Sequence, residues 1–200
     1  MIIIPTLSDR NATFDYEMKI YSNKKIELYP LLGDNCASLN GEWNENNAGG
    51  SKLNQNEEEE KLNVDNEYKR RLTYFDNPKF ILQFEAKDWI KNIDFEIIIS
   101  RMNSIWKRRL SQSMINSMMS CYIFKNEMDG KWKDNLVNED KIDFMPKDTV
   151  VMKYSQKRVD PKGFILMPCT YAKNVFGPFN ILVKCKEKFK LTQVTEEDNI

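Results

Sequence analysis

The stretch Lys79-Phe80-Ile81-Leu82-Gln83-Phe84-Glu85-Ala86 carries the pattern that decides the fold of this chain. Phe80, Leu82 and Phe84 recur at every second position, which is the spacing of a β-strand with one buried face. A cleaner alternation runs over residues 14–21, where Phe, Tyr, Met and Ile alternate with Asp, Glu and Lys. Both stretches therefore predict half-buried strands.

Five further segments look like strands, because they are short, rich in β-branched or aromatic residues, and separated by Asn, Asp, Gly and Pro. They are Asp94–Arg101, Met119–Lys125, Thr149–Tyr154, Gly163–Met167 and Phe179–Cys185. Short strands joined by turn residues favour antiparallel pairing over a parallel α/β arrangement. The sequence therefore predicts an all-β fold, built as an antiparallel β-sandwich.

Two segments depart from the strand pattern. Between Arg101 and Met119 the apolar residues fall near helical spacing, which fits a short helix or a long, partly ordered crossover loop equally well. Residues 44–66 are rich in Asn, Glu, Gly and Ser and include the run Glu57–Glu60. That composition is typical of a flexible, solvated loop.

The overall composition limits the size of the core and the classes of partner. A chain of 200 residues that is 41% hydrophobic can bury the core of one complete domain plus a remnant. The 30 Lys and Arg residues are balanced by 30 Asp and Glu, so no global field attracts nucleic acid or anionic lipid. We therefore expect no nucleic-acid partner, and any lipid contact must be local.

The cysteines and the N-terminus indicate an intracellular protein. Cys36, Cys121, Cys169 and Cys185 lie far apart with no CxxC pair, which argues against a zinc site and against a disulfide framework. The start of the chain lacks the basic region and the apolar length of a signal peptide, and no apolar run approaches the ~20 residues of a membrane span. We therefore expect reduced thiols and a cytoplasmic location.

The chain contains no histidine. This absence removes the usual general base of Ser and Cys hydrolases and the commonest zinc ligand. No stretch arranges paired carboxylates or a Ser–Lys pair in a recognisable constellation. We therefore predict no catalytic residue and no cofactor-binding residue in this chain.

A repeat at domain length suggests two similar domains in tandem. Residues 2–6 (Ile-Ile-Ile-Pro-Thr) and the strand at 14–21 resemble residues 165–170 (Ile-Leu-Met-Pro-Cys-Thr) and the strand at 179–185. On this interpretation, residues 1–32 are the last strands of a preceding domain and 33–40 are a linker. Residues 41–194 then form a complete second domain, and 195–200 are a tail.

Several short motifs resemble the β-sandwich called domain III in the calpain family. They are Gly41-Glu42-Trp43, Ala48-Gly49-Gly50, Asn54, Asn77-Pro78-Lys79-Phe80 and Pro168-Cys169-Thr170-Tyr171. Two copies in tandem are similar to the PalB-type branch of calpains. Ser51 stands where the family often has Cys, and Lys79 replaces a usual Gln. The resemblance covers nearly the whole chain and is weakest from about residue 87 to 144.

The resemblance implies a non-catalytic regulatory or interaction module of a calpain-like intracellular cysteine endopeptidase. Its partner would be the protease core of the same polypeptide or another protein, and the Cys, His and Asn of that core would lie upstream of Met1. The motif residues have structural rather than catalytic roles, since turn chemistry alone accounts for them. These residues are Trp43, Gly49, Gly50, Asn77, Pro78, Pro168 and Thr170.

Two rival functions follow from other features of the chain. One is a stand-alone adaptor that kept the sandwich without a protease. The other is a peripheral membrane module that binds calcium and phospholipid, for which the candidate calcium ligands are carboxylates without the Asp-x-Asp-x-Asp arrangement of a loop site. These carboxylates are Glu57–Glu60, Asp129, Asp134, Glu139 and Asp140.

Two basic clusters are candidates for contact with an anionic lipid or a partner. They are Lys69-Arg70-Arg71 and Lys107-Arg108-Arg109, and the second is flanked by Trp106 and Leu110. Cations beside aromatic and aliphatic residues suit a membrane interface. An exposed loop whose charges offset neighbouring acids explains the clusters more simply, because the chain has no net charge.

Overall fold

The computed structural model of the chain describes residues 35–54, 73–102, 118–126, 131–139 and 142–194. All of them belong to the second of two structural units, which spans Leu32–Ile200. The strands predicted for a preceding domain at residues 1–32 lie outside the described residues. So do the segment of helical spacing at 103–117 and the tail at 195–200.

Alternating apolar residues and intervening turns produce eight strands within the described residues. The strands are β1 (Cys36–Trp43), β2 (Phe80–Phe84), β3 (Ile90–Arg101), β4 (Met119–Lys125), β5 (Thr149–Val159), β6 (Phe164–Thr170), β7 (Gly177–Cys185) and β8 (Phe189–Gln193). They form two antiparallel four-stranded sheets, in the orders β1-β7-β3-β5 and β4-β6-β2-β8. The predicted all-β sandwich is confirmed.

The main core fills the space between the two sheets. Every second residue of β2 and β3 is buried there, so the alternation seen in the sequence corresponds directly to an inward face. Neighbouring strands contribute the rest of the same cluster. Its fully buried members include Trp43, Phe80, Leu82, Ile97, Ile99, Val150, Leu166, Phe179 and Ile181.

The sheet β4-β6-β2-β8 is also covered on its outer face. Strands β4 and β6 are buried at nearly every position, with Tyr122, Phe124 and Met167 pointing away from the main core. Two 3₁₀ turns, Thr73–Asp76 and Lys131–Asp134, bring further aromatic side chains over this face. These two strands therefore lack the alternation of a half-buried strand, because both of their faces are dry.

The structure differs from the sequence-based prediction at the start of the domain. Residues 36–40, predicted as part of a linker, belong to β1, which pairs with β7 from Cys36↔Lys184 to Trp43↔Gly177. The polar composition of β1 concealed it, since its outward positions are solvated and Gly41 interrupts its apolar pattern. The loop predicted to be solvated from residue 44 is also corrected in part, because residues 48–51 are buried.

Candidate functional site

The motif residues from the two ends of the domain meet in one junction. Trp43, at the end of β1, is fully buried, and its Nε1 donates a hydrogen bond of 3.2 Å to the backbone oxygen of Pro168 in β6. Its ring lies 4.1 Å from that of Phe179, measured between centroids. Trp43, the last residue of β1, is thereby hydrogen-bonded to β6, a strand of the other sheet.

Glycine is required at residues 49 and 50 because the backbone there passes very close to other segments. A Cβ at Gly49 would lie 1.9 Å from the backbone oxygen of Thr73, well inside van der Waals contact. Gly50 has a φ of +76°, in the left-handed region that side chains rarely adopt, and its α-carbon faces the backbone of Lys173. Close approach and local conformation together explain the adjacent glycines.

Asn77 connects the glycine segment to the first 3₁₀ turn. Its Nδ2 donates to the backbone oxygens of Gly50 and Tyr74, each at 2.7 Å, and the side chain is 0% exposed. Pro78 is buried next to it and leads into β2. The amide side chain thus donates to two carbonyl groups at a fully buried position, and Tyr74 O also accepts from Asn77 N at 3.4 Å.

The closing motif is held by main-chain and hydroxyl hydrogen bonds. Ser51 N donates to Tyr171 O at 3.0 Å, and Thr170 Oγ1 donates to Ala172 O at 2.8 Å. All seven motif residues are therefore placed within or beside one junction between the loop after β1, the first 3₁₀ turn and the β6–β7 connection. This junction connects the segment that follows β1 with β6 and the segment that follows it.

Tyr74, in the first 3₁₀ turn of this junction, is not suited to acid–base chemistry near neutral pH. Burial raises the pKa of Tyr74 to about 12, with the nearby carboxylates Glu139 and Asp134 adding to the shift. The hydrogen bonds within this junction are made by an amide side chain, a hydroxyl group, an indole and the main chain. These contacts stabilise the packing of the segments that meet at the junction.

A second feature, which the sequence motifs did not indicate, is a basic cleft at one end of the sandwich. It has a volume of about 360 Å³ and lies between the ends of β4 and β5. Its charged lining residues are three cations, Lys125, Arg158 and Lys162, and one carboxylate, Asp160. Among the described residues, none of the three cations takes part in an ion pair. The cleft is therefore a positively charged recess.

Arg158 and Trp89 form one wall of the basic cleft. The guanidinium carbon of Arg158 lies 5.2 Å from the centre of the Trp89 ring, a cation–π contact, and Trp89 is 57% exposed. Arg158 has a φ of +53°, an uncommon conformation for a residue with a side chain. A large aromatic ring is thus held at the surface beside a strained arginine.

The four cysteines are neither paired nor activated. Burial raises the pKa of each thiol; Cys121 and Cys169 are fully buried, whereas Cys36 and Cys185 are partly exposed. A thiol with a raised pKa holds little of the nucleophilic thiolate at neutral pH. The described cysteines are therefore poor nucleophiles.

The structure brings together few of the candidate residues for calcium or lipid binding. In the described ranges no group of three or more His, Cys, Asp or Glu side chains could hold a metal ion. Glu139 instead forms an exposed ion pair with Lys52, with 2.5 Å between Oε1 and Nζ. Glu57–Glu60, Asp129, Asp140, Lys69–Arg71 and Lys107, Arg108 and Arg109 lie outside the described residues.

The β5–β6 turn of the basic cleft is recognisable in the sequence as a cluster of charged residues. The run Lys157-Arg158-Val159-Asp160-Pro161-Lys162-Gly163 places three cations around an Asp-Pro turn. Trp89 and Lys125 come from distant parts of the chain, and nothing in their local sequence connects them with that turn. The charge of the turn was therefore predictable, whereas the cleft was not.

Comparisons with known proteins leave the chain without an assigned family. No protein-family model matches the sequence. The curated proteins contain no significant match either. Separately, none of the helices in the described part of the chain has the length and apolar character needed to cross a membrane.

Proposed function

We propose that the chain is a non-catalytic regulatory or interaction module of a calpain-like cytoplasmic cysteine endopeptidase. In this role the sandwich positions the protease core of the same polypeptide or binds a protein partner. Proteolysis belongs to the parent protein, whose catalytic Cys, His and Asn lie upstream of Met1.

One observation carries the proposal: the motifs that resemble calpain domain III come together in three dimensions. The hydrogen bonds from Trp43 to Pro168 and from Ser51 to Tyr171 join motifs at the start of the domain to the Pro168–Tyr171 motif near its end. The hydrogen bond from Asn77 to Gly50 joins two of the motifs at the start. This convergence supports the resemblance without identifying the parent.

The chemistry of the described residues supports a non-catalytic role. The described thiols are held in their neutral form by burial, and the sequence supplies no histidine to act as a base. The basic cleft is lined by two lysines, an arginine and a single carboxylate, a set of side chains suited to recognising an anion.

The test is the size of the native polypeptide, measured by immunoblot of source cells with an antibody raised against residues 79–194. We expect a band several times larger than the 23.7 kDa of this chain, with the recombinant chain as the size standard on the same gel. Mass spectrometry of the immunoprecipitated band should then identify a papain-like region. A single band at 23.7 kDa would replace the proposal with the stand-alone adaptor.

The remaining rival function, that of a calcium- and phospholipid-binding membrane module, predicts a different experimental result. It requires the chain to sediment with anionic vesicles only when calcium is added. The immunoblot does not test this rival, so sedimentation with and without calcium is the measurement that separates it from the interaction module.

A further inference from the structure

The main chain at the base of the basic cleft is held by several hydrogen bonds. At its base, the β5–β6 turn is closed by a hydrogen bond of 2.8 Å from Gly163 N to Asp160 O. The same turn is tied to β2 through Phe84 N and Pro161 O at 2.9 Å. Asn126 binds it from the end of β4, through Nδ2 and Lys162 O at 3.0 Å. The main chain that carries Lys162 is thus hydrogen-bonded to β2 and to the end of β4 without a ligand, and a backbone ordered in this way lowers the entropic cost of binding.

The charge of the cleft selects an anion. Lys125 and Lys162 approach it from β4 and from the β5–β6 turn, and Arg158 approaches from the end of β5. The carboxylate Asp160 is already engaged, because its Oδ1 accepts a hydrogen bond from Lys162 N at 2.9 Å. A carboxylate entering the cleft would therefore meet three cations that lack ion-pair partners among the described residues.

The cleft is continuous with a sheet edge. β5 is the last strand of its sheet, and within the described part of the chain it pairs only with β3. Gln156, Arg158 and Val159 belong to both β5 and the cleft lining. An edge strand presents main-chain groups to which an extended peptide can add as a further strand. Lys157, exposed on β5, extends the positive charge along this edge, whereas the exposed Lys153 is paired with Glu96 at 3.8 Å.

We propose that the basic cleft and the adjoining edge of β5 bind an extended acidic peptide segment of a protein partner. The main chain of the peptide pairs with β5, and one of its carboxylate side chains enters the cleft among Lys125, Arg158 and Lys162. The exposed ring of Trp89 covers an aliphatic part of the peptide. This inference specifies the partner chemistry of the proposed interaction module and does not require a calpain-like parent.

A peptide fits these observations better than a membrane surface. The cations lie in a concave recess between two strand ends, whereas a bilayer is contacted by residues that protrude. The edge of β5 adds a partner for a polypeptide main chain, which a lipid headgroup does not offer.

The experiment uses the full chain and a fluorescein-labelled peptide in which Glu and Thr alternate. A matched peptide carries Gln in place of every Glu, and vesicles containing phosphatidylserine form a separate arm. The test variant is Lys125→Gln/Lys162→Gln. The control variant, Lys188→Gln/Lys190→Gln, removes the same charge from the exposed surface around the start of β8. Circular dichroism checks that both variants are folded.

We expect saturable binding of the acidic peptide by fluorescence anisotropy and weakening by about tenfold in the test variant, but not in the control variant. Amide chemical-shift changes should map to β5 and to residues 125–126. Four results would overturn the proposal: no saturable binding at millimolar peptide, equal binding of the Gln peptide, equal binding by both variants, or shifts that map elsewhere. Preferential binding of the vesicles would do so too. None of these results alters the outcome of the immunoblot, so the two proposals can fail separately.

Discussion

At the residue scale, the junction shows how close approach of the main chain determines residue type. A Cβ at residue 49 would collide with the backbone of Thr73, so this position requires glycine. Asn77 supplies a carboxamide, an uncharged group that can donate two hydrogen bonds, and it donates both from a fully buried position. These requirements come from packing, so they would hold whatever the domain binds. A structural origin for the motif is therefore sufficient.

The role of Asn77 can be tested with a pair of matched substitutions. In Asn77→Asp the carboxylate cannot donate to Gly50 O or Tyr74 O, and it places a charge in a fully buried position. We expect a loss of about 3 kcal/mol or more in the free energy of unfolding, or failure to fold. The measurement is urea denaturation followed by circular dichroism.

Asn44→Asp is the control for that substitution. The Oδ1 of Asn44 accepts a hydrogen bond of 2.9 Å from Asn46 N at an exposed turn, a role that a carboxylate fills equally well. Its unfolding free energy should change by less than about 0.5 kcal/mol. Equal effects of the two substitutions would mean that the donor role assigned to Asn77 is wrong.

At the element scale, the strands that the sequence predicted well are those rich in apolar residues, whether one face is buried, as in β2 and β3, or both, as in β4. The alternation in β2 and β3 reports a single buried side, and the boundaries of β4 were predicted at Met119 and Lys125 as observed. β5 extends past the predicted end at Tyr154 to Val159, because its last residues are polar but still pair with β3. β1 was missed because pairing with β7, rather than hydrophobicity, defines it.

The two aromatic cores can be compared through their tryptophans, Trp43 in the main core and Trp132 in the outer one. Both are almost fully buried. Trp43 Nε1 donates to Pro168 O, whereas Trp132 Nε1 has no hydrogen-bond partner among the described residues. Replacing either by Phe leaves a similar cavity, but only Trp43→Phe also leaves a buried carbonyl without this donor.

Trp43→Phe should therefore lower the free energy of unfolding by about 1–2 kcal/mol more than Trp132→Phe. Urea denaturation of both variants under one set of conditions measures this difference directly. A larger loss for Trp132→Phe would show that its indole N–H has a partner that stabilises the outer core, and would contradict the assignment.

At the scale of the whole molecule, the candidate sites depend on how distant segments are brought together. The junction was partly predictable, because its residues carried recognisable motifs, although the sequence could not show that Trp43 would bond to Pro168. The basic cleft was not predictable, since Trp89, Lys125 and Arg158 meet only after both sheets have formed. Local patterns identify strands, whereas a recess between strand ends requires the topology.

Two tyrosines are buried on opposite faces of the sheet β4-β6-β2-β8, Tyr154 in the main core and Tyr74 in the outer one. Their burial makes the stability of the whole domain sensitive to alkaline pH. Burial raises the pKa of Tyr154 from 10.0 to about 12, and it does the same for Tyr74. The unfolded chain therefore loses phenolic protons as the pH rises from 10 to 12, while the folded chain retains them. Stability from this source is fully present below about pH 10 and falls across that range.

Tyr154→Phe isolates one of these groups. Its hydroxyl donates to Gln156 Oε1 at 2.6 Å, so the substitution should cost a constant amount of stability at neutral pH. Between pH 10 and 12 the free energy of unfolding should then fall less steeply in the variant than in the parent, because one fewer tyrosine resists ionisation. Urea denaturation at intervals of pH gives both slopes, and the ultraviolet absorbance of tyrosinate shows whether ionisation accompanies unfolding. Equal slopes would mean that Tyr154 ionises in the folded protein as readily as in the unfolded chain.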